Sequence, residues 1–266
     1  MICAGIDAGS RCIKVVLFDT RAECVVRAGC ADQGVQQRAL AQTLYHDLLR
    51  DAGLDESAVH AVVATGYGRA RIDFADTTIT EITCHARGVR HHLPDVRTIV
   101  EIGGQDSKLV RLNGTGDVRD FVMNDRCAAG TGRFIEVVAE RLGVTLEDMG
   151  ALAGQSQAPA RISSTCVVFA ETEIVGLLAS GAAPSDIVAG VLCAISNRVG
   201  AMAGRAVDAP VAFTGGVAMI PGMRGVLEKT LGTPVLVPAE PQMTGALGAA
   251  LLAATLPPRE DAGPRA

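Results

Sequence analysis

Asp7-Ala8-Gly9-Ser10-Arg11-Cys12-Ile13-Lys14 and Glu101-Ile102-Gly103-Gly104-Gln105-Asp106-Ser107-Lys108 are two versions of one pattern: an acid, a glycine two residues later and a lysine seven residues later. Each starts at the end of a short apolar run, residues 2–6 in the first case and 98–102 in the second. A strand that ends in an acid and turns tightly through glycine brings backbone N–H groups up to a phosphate, and the acid is placed to hold a magnesium ion. Either segment alone reads equally well as a plain β-hairpin, with Asp106 as a turn-capping carboxylate. Repetition at the head of each half carries the reading: an α/β chain built twice, with two turns forming a phosphate clamp.

Outward from these segments, the first half reads as strands over 2–6, 13–19 and 23–28, a helix over about 35–52 and a strand over 59–65. Leu40, Leu44 and Leu48 fall at steps of four in that helix. The second half reads as strands over 98–102, through Val110, and over 118–123, then helices after Cys127 and Cys166, a long helix over 184–207 and a strand over 211–213. A third glycine element, Phe213-Thr214-Gly215-Gly216-Val217-Ala218, runs from a strand toward a helix near Pro221. It is either a tight turn without a ligand or a surface where a ribose or flat ring lies against the backbone. The expected organisation is lobe I over 1–94 with the first phosphate loop, lobe II over 95–243, a helix over 244–256 returning to lobe I, and a flexible tail over 257–266. Gly245, Ala246, Gly248, Ala249 and Ala250 suit the last helix for close contact at the hinge between lobes.

With 266 residues, 48% of them hydrophobic, the chain can bury a sizeable core. A net charge of −5 and the lack of a dense Lys/Arg cluster argue against nucleic acid and membrane surfaces as partners. No basic leader opens the sequence and no apolar run approaches the roughly 20 residues that span a bilayer, so the expected location is the cytoplasm. Eight cysteines then point to buried thiols, metal ligands or redox chemistry rather than disulfides. Cys3, Cys12, Cys24, Cys30 and Cys193 read as core thiols, and Cys84-His85 as a helix start near the hinge.

Cys127, in Asn124-Asp125-Arg126-Cys127-Ala128-Ala129-Gly130-Thr131-Gly132-Arg133-Phe134, and Cys166, in Ser163-Ser164-Thr165-Cys166-Val167-Val168-Phe169-Ala170-Glu171, each precede an amphipathic helical stretch. A thiolate is favoured there by the helix dipole. One chain offers two such ligands, whereas a cubane cluster normally takes four. A two-fold axis is the simplest way to supply the rest, with one 4Fe-4S cluster shared by a homodimer. Such a protein moves electrons.

With Ala64-Thr65-Gly66-Tyr67-Gly68-Arg69, Glu81-Ile82-Thr83-Cys84-His85-Ala86 and 244–251 added to the segments above, the chain resembles the activators of 2-hydroxyacyl-CoA dehydratases. These ATPases are grouped with the ATP-binding subunits of benzoyl-CoA reductase. The resemblance runs over about 5–252 and implies the two-lobed ASKHA fold of acetate and sugar kinases, hsc70 and actin, with ATP in the interlobe cleft. It also implies a cluster held by Cys127 and Cys166 of each subunit. Phosphate contacts fall on Gly9, Ser10, Arg11, Cys12 and Lys14 and on Gly104, Gln105 and Asp106, with Gly130, Thr131 and Gly132 nearby. Adenosine contacts fall on Gly215, Gly216 and Gln242. Asp7 and Asp106 are the catalytic candidates, for magnesium and for orienting the attacking water. The implied partners are reduced ferredoxin or flavodoxin as donor and a dehydratase as acceptor. Two positions depart from the family: Arg11-Cys12-Ile13 replaces small polar residues, and Ile220 stands where an Asn is common. The alternatives are a subunit of a benzoyl-CoA reductase, a small-molecule kinase of the same fold, and an actin-like or chaperone-like module using ATP as a conformational ligand.

Overall fold

A computed structural model describes residues 1–124, 128–163, 166–204 and 207–257. The expected ligand Cys127 and tail residues 258–266 lie outside the described residues. The chain divides into two compact units, Met1–Pro94 with Met243–Ala266, and Asp95–Gln242.

Unit 1 contains β1 (Ile2–Ala8), β2 (Cys12–Asp19), β3 (Cys24–Asp32), α1 (Gln37–Ala52), β4 (Val59–Thr65), β5 (Thr77–Thr78) and α2 (Glu81–His92). Unit 2 contains β6 (Thr98–Ile102), β7 (Ser107–Leu112), β8 (Val118–Asn124), α3 (Gly132–Leu142), α4 (Leu146–Gly154), α5 (Val167–Ala179), α6 (Pro184–Ala203), β9 (Val211–Thr214), α7 (Met223–Leu231) and β10 (Val235–Leu236), after which α8 (Thr244–Ala253) returns to unit 1. The sheet orders are β3-β2-β1-β4-β5 and β10-β9-β6-β7-β8. In each, a central strand pairs antiparallel with its hairpin partner and parallel with a crossover strand, so the repeated sequence pattern is a repeated topology.

Strand β1 is apolar almost throughout because both of its faces are covered. Ala4, Ile6 and Ala8 pack with Ala41, Tyr45, Leu48 and Leu49 of α1, while Cys3 on the opposite face packs with Ala249 and Ala253 of α8. Leu40 and Leu44 lie at the margin of the buried α1 stripe. Helix α8 is polyalanine-like for a reason visible at Gly248, where a Cβ would overlap the Cys84 carbonyl oxygen of α2. Its small residues therefore serve close packing inside unit 1.

Three expectations change. Among the described residues, α6 is long and apolar enough by length and composition to cross a bilayer, where no such run was expected. The helix lies in the unit 2 core, with Ile187, Val188, Val191, Leu192, Ile195 and Val199 buried. It ends at Ala203 before Gly204, which has φ 74°. Second, Cys24 and Cys30 are exposed rather than core thiols, because β3 is an edge strand. Third, α4 is an additional helix, started by a capping box between Thr145 and Asp148.

Candidate functional site

In unit 1 the β1–β2 register sets Asp7 directly opposite Lys14. Lys14 Nζ lies 3.3 Å from Asp7 Oδ2, and Asp7 is buried at the end of its strand. The turn between them closes with Gly9 N–H donating to Cys12 O at 3.1 Å. Gln33 braces it, its Nε2 donating to Gly9 O at 2.7 Å and its backbone N–H to Arg11 O at 2.8 Å. Arg11 Nη1 sits 3.8 Å from Asp32 Oδ1.

Asp7 faces a neighbour the sequence reading passed over. A Cβ on Gly245, in the first turn of α8, would stand 3.0 Å from Asp7 Oδ2 and 3.3 Å from His85 Nε2. Glycine there lets the carboxylate and the imidazole share one small space. His85 is buried, and its Nδ1 hydrogen-bonds Thr244 Oγ1 at 3.0 Å. Cys84-His85 was thus a site signal as well as a helix signal: α2 begins at Glu81, capped by Thr80, and delivers His85 from its second turn. Burial pushes the adjacent Cys84 thiol up to about 12, which leaves it unreactive.

In unit 2 the same register sets Glu101 opposite Lys108. Lys108 is buried and bridges two carboxylates, Glu101 Oε2 at 2.8 Å and Asp106 Oδ2 at 2.7 Å. Gly103 N–H donates to Asp106 O at 3.0 Å to close the loop. The loop rests on the start of α3: Gly132 N–H donates to Gly103 O at 2.8 Å, Arg133 N–H to Gly104 O at 2.9 Å, and the Thr131 hydroxyl to Gly104 O at 3.1 Å. The Thr131 and Gly132 donors expected at phosphates therefore hold the loop, because its carbonyls satisfy N–H groups that a helix start leaves unpaired. Glu101 and Lys108, the acid and lysine of the repeated pattern, are thus joined with Asp106 in one ion-pair cluster.

At the third glycine element Gly215 has φ 87°, and a Cβ there would overlap the Ile102 carbonyl. Its N–H donates to Pro241 O at 2.9 Å, which ties the turn to the residue before Gln242. Among the described residues, Thr214 Oγ1 and Gln242 Oε1 are both buried without a hydrogen-bond partner. Such atoms are costly unless a ligand group or water completes them, and a nucleoside's hydroxyls and amino group have that chemistry. Gly216 opens a short 3-10 turn over Gly216–Met219, and Ile220 packs against the unit 2 core.

Cys166 is half-buried and is the N-cap of α5, with φ −120° and ψ 138°. Its carbonyl accepts the first helical bond from Ala170 N–H at 2.8 Å, and its thiol makes no capping bond. Glu173 anchors the preceding loop by accepting from Ser163 N–H at 2.9 Å and Ser163 Oγ at 2.7 Å. Val168 and Phe169, just after the thiol, are 67% and 70% exposed. Among the described residues no group of three or more His, Cys, Asp or Glu side chains is placed to hold one metal ion.

Residues 4–253 match the model of the BadF/BadG/BcrA/BcrD ATPase family. The chain belongs to that family. It is 43% identical over 258 residues to the activator of lactoyl-CoA dehydratase of Anaerotignum propionicum, covering 95% of this chain and 97% of the relative. The structure of the activator of 2-hydroxyisocaproyl-CoA dehydratase from Clostridium difficile, solved with bound ADPNP, superposes on this family ATPase with a TM-score of 0.89 at 39% identity, covering 95% of this chain and 94% of the other. A ROK family glucokinase from Streptomyces griseus superposes with a TM-score of 0.61 at 14% identity, over 96% of this chain and 100% of the glucokinase, which is a likeness of fold alone. The family ATPase has the ASKHA fold of sugar kinases and actin, in agreement with its doubled sheet topology.

Proposed function

We propose that this family ATPase is the activator of a 2-hydroxyacyl-CoA dehydratase, coupling ATP hydrolysis to delivery of one electron. The observation that carries the reading is the pairing, in one chain, of two acid–lysine hairpins with a half-buried cysteine at a helix N-terminus. A kinase needs the hairpins but has no use for the thiol.

ATP is the ligand of both hairpins. Gly9, Ser10, Arg11, Cys12 and Lys14 take its phosphates from the first, Gly104 and Gln105 from the second, and Gly215, Gly216 and Gln242 take the adenosine. Thr131 and Gly132 hold the second loop in place and, with Gly130, reach the phosphates. Asp7 and Asp106 would hold a magnesium ion, which would neutralise phosphate charge when bound, and they orient the water that attacks the terminal phosphate, giving ADP and phosphate. Lys108 limits the repulsion between Glu101 and Asp106 when the nucleotide is absent.

Cys166 fits a cluster ligand: it is a soft sulfur donor at the positive end of a helix, with no competing cap bond. Cys127 and Cys166 from each of two subunits would hold one 4Fe-4S cluster. That cluster supplies the one-electron carrier when bound. The exposed Val168 and Phe169 beside the thiol suit a surface covered by a second subunit or by the dehydratase. Reduced ferredoxin or flavodoxin is the donor. Nucleotide state acts by binding two conformations unequally: a change from 1:99 to 99:1 takes about 5.5 kcal/mol, equal to roughly 0.24 V for one electron.

Purification without oxygen tests this. The expected product is a brown dimer with about four irons that hydrolyses ATP and activates a dehydratase. Cys166→Ser should lose the iron and the activation while still binding ATP. Full iron retention by that variant, or a colourless monomer that phosphorylates a metabolite, would refute the proposal.

A further inference from the structure

Cys12 and Cys30 occupy one face of the β2–β3 ladder. The register pairs Cys12 with Asp32 and Lys14 with Cys30, so the two cysteines are diagonal neighbours on that face. Cys12 is half-buried at the base of the first phosphate loop and Cys30 is exposed on the edge strand. The Cys30 thiol donates a hydrogen bond to Cys12, which brings Cys12 down to about 7 and pushes Cys30 up. Lys14 and Arg11 favour the Cys12 thiolate further, while partial burial and the Asp32 carboxylate, 3.8 Å from the sulfur, oppose it. No role in the proposed reaction requires a second sulfur here. Cys24, at the far end of β3, is about 20 Å away along the strand.

We propose that Cys12 and Cys30 are a redox-responsive thiol pair whose oxidation by a low-molecular-weight disulfide weakens nucleotide binding at the first phosphate loop. The consequence for nucleotide rests on the reading of that loop given above; the thiol chemistry does not. The Cys12 thiolate attacks one sulfur of oxidised glutathione, forming a mixed disulfide and releasing one glutathione thiolate. Cys30, as thiolate, attacks the Cys12 sulfur of that mixed disulfide and releases the second. Two electrons pass from the protein thiols to oxidised glutathione, and the two thiol protons end on the two glutathiones.

Closing the bond moves the loop. Diagonal residues in an antiparallel ladder stand about 7–8 Å apart, whereas a disulfide needs Cα atoms about 4.4–6.8 Å apart. The ends of β2 and β3 are therefore drawn together. Gln33, immediately after β3, grips Arg11 O and Gly9 O, so the shift passes directly into the phosphate loop. A bond formed under such strain is readily reduced, which makes the response reversible.

The test uses the full-length protein, purified reduced and without oxygen, then equilibrated in oxidised glutathione. Peptide mapping should find a Cys12–Cys30 disulfide, and affinity for a non-hydrolysable ATP analogue should fall about tenfold and recover with dithiothreitol. Cys30→Ser should bind the analogue like the wild type before oxidation and trap glutathione on Cys12 afterwards. Glutathione on wild-type Cys12 without the internal bond, a disulfide to another cysteine, or the bond with unchanged affinity would overturn the proposal. A reduced protein that binds no nucleotide would overturn the reading of the loop instead, and the peptide map would still decide the thiol pair.

Discussion

Lys14 pairs with Asp7 at 3.3 Å and stays partly exposed, whereas Lys108 is buried between Glu101 at 2.8 Å and Asp106 at 2.7 Å. The two hairpins share acid, glycine and lysine at the same spacing and differ in what surrounds them. In unit 1 the acid faces a glycine and a buried histidine, and the turn is braced by Gln33. In unit 2 the loop is locked to the start of α3 by three hydrogen bonds, and one lysine answers two acids. The second hairpin is latched to the helix start that follows it, while the first is braced by a glutamine side chain. A repeated motif is thus held by a helix start in one unit and by a side chain in the other.

The largest expected effect separates the two hairpins. Lys108→Met removes the cation from the buried Glu101 and the half-buried Asp106 and should cost about 3–5 kcal/mol in urea unfolding. Lys14→Met uncovers a single buried carboxylate through a longer contact of 3.3 Å, so it should cost no more than the low end of that range, about 3 kcal/mol, and lose ATP hydrolysis as well. Equal losses of stability would break the comparison.

A smaller effect sharpens the unit 1 side. His85→Ala removes a buried hydrogen bond to Thr244 Oγ1 and empties the space its ring fills, at a cost of about 1–3 kcal/mol. ATP hydrolysis should fall more than ATP binding, because the space beside Asp7 changes while the phosphate loop does not. Binding and hydrolysis measured on the same preparation check this, and parallel losses would reduce His85 to a packing residue.

The smallest effect concerns acid. Asp186, at the start of α6, accepts from Ser156 Oγ at 2.7 Å and from the N–H groups of Gln157 and Ala158 at 3.0 Å, and these bonds hold its carboxyl below the usual range. A depressed carboxyl contributes stability above its unfolded pKa, about 3.9, and that contribution is lost as pH falls through the lower folded value. Hydrogen exchange followed downward from pH 5 should show residues 156–158 losing protection, and Asp186→Asn should remove that pH dependence.

Much of the fold was legible because its signals are local. Strand β4 spans Val59–Thr65 and β6 spans Thr98–Ile102, as the apolar runs predicted, and the doubled acid-glycine-lysine pattern became a doubled sheet topology. Helix α4 was passed over because its start is marked by a capping box rather than a strong apolar stripe. Of the site, the cysteine at the head of α5 was readable, since a helix start follows from what comes after it. His85 was underweighted because its importance comes from Thr244 and Gly245, about 160 residues away in the sequence.

Residue order alone settled the alternation of strands and helices, the duplication, and membership of an ATPase family, since all three are written in short segments and their spacing. Which acids each lysine meets, which thiols face solvent, and how Thr131 bonds the second loop were decided only by folding. Those outcomes depend on which strand lies at a sheet edge and which helix end meets which turn, and such contacts join residues that no local pattern relates.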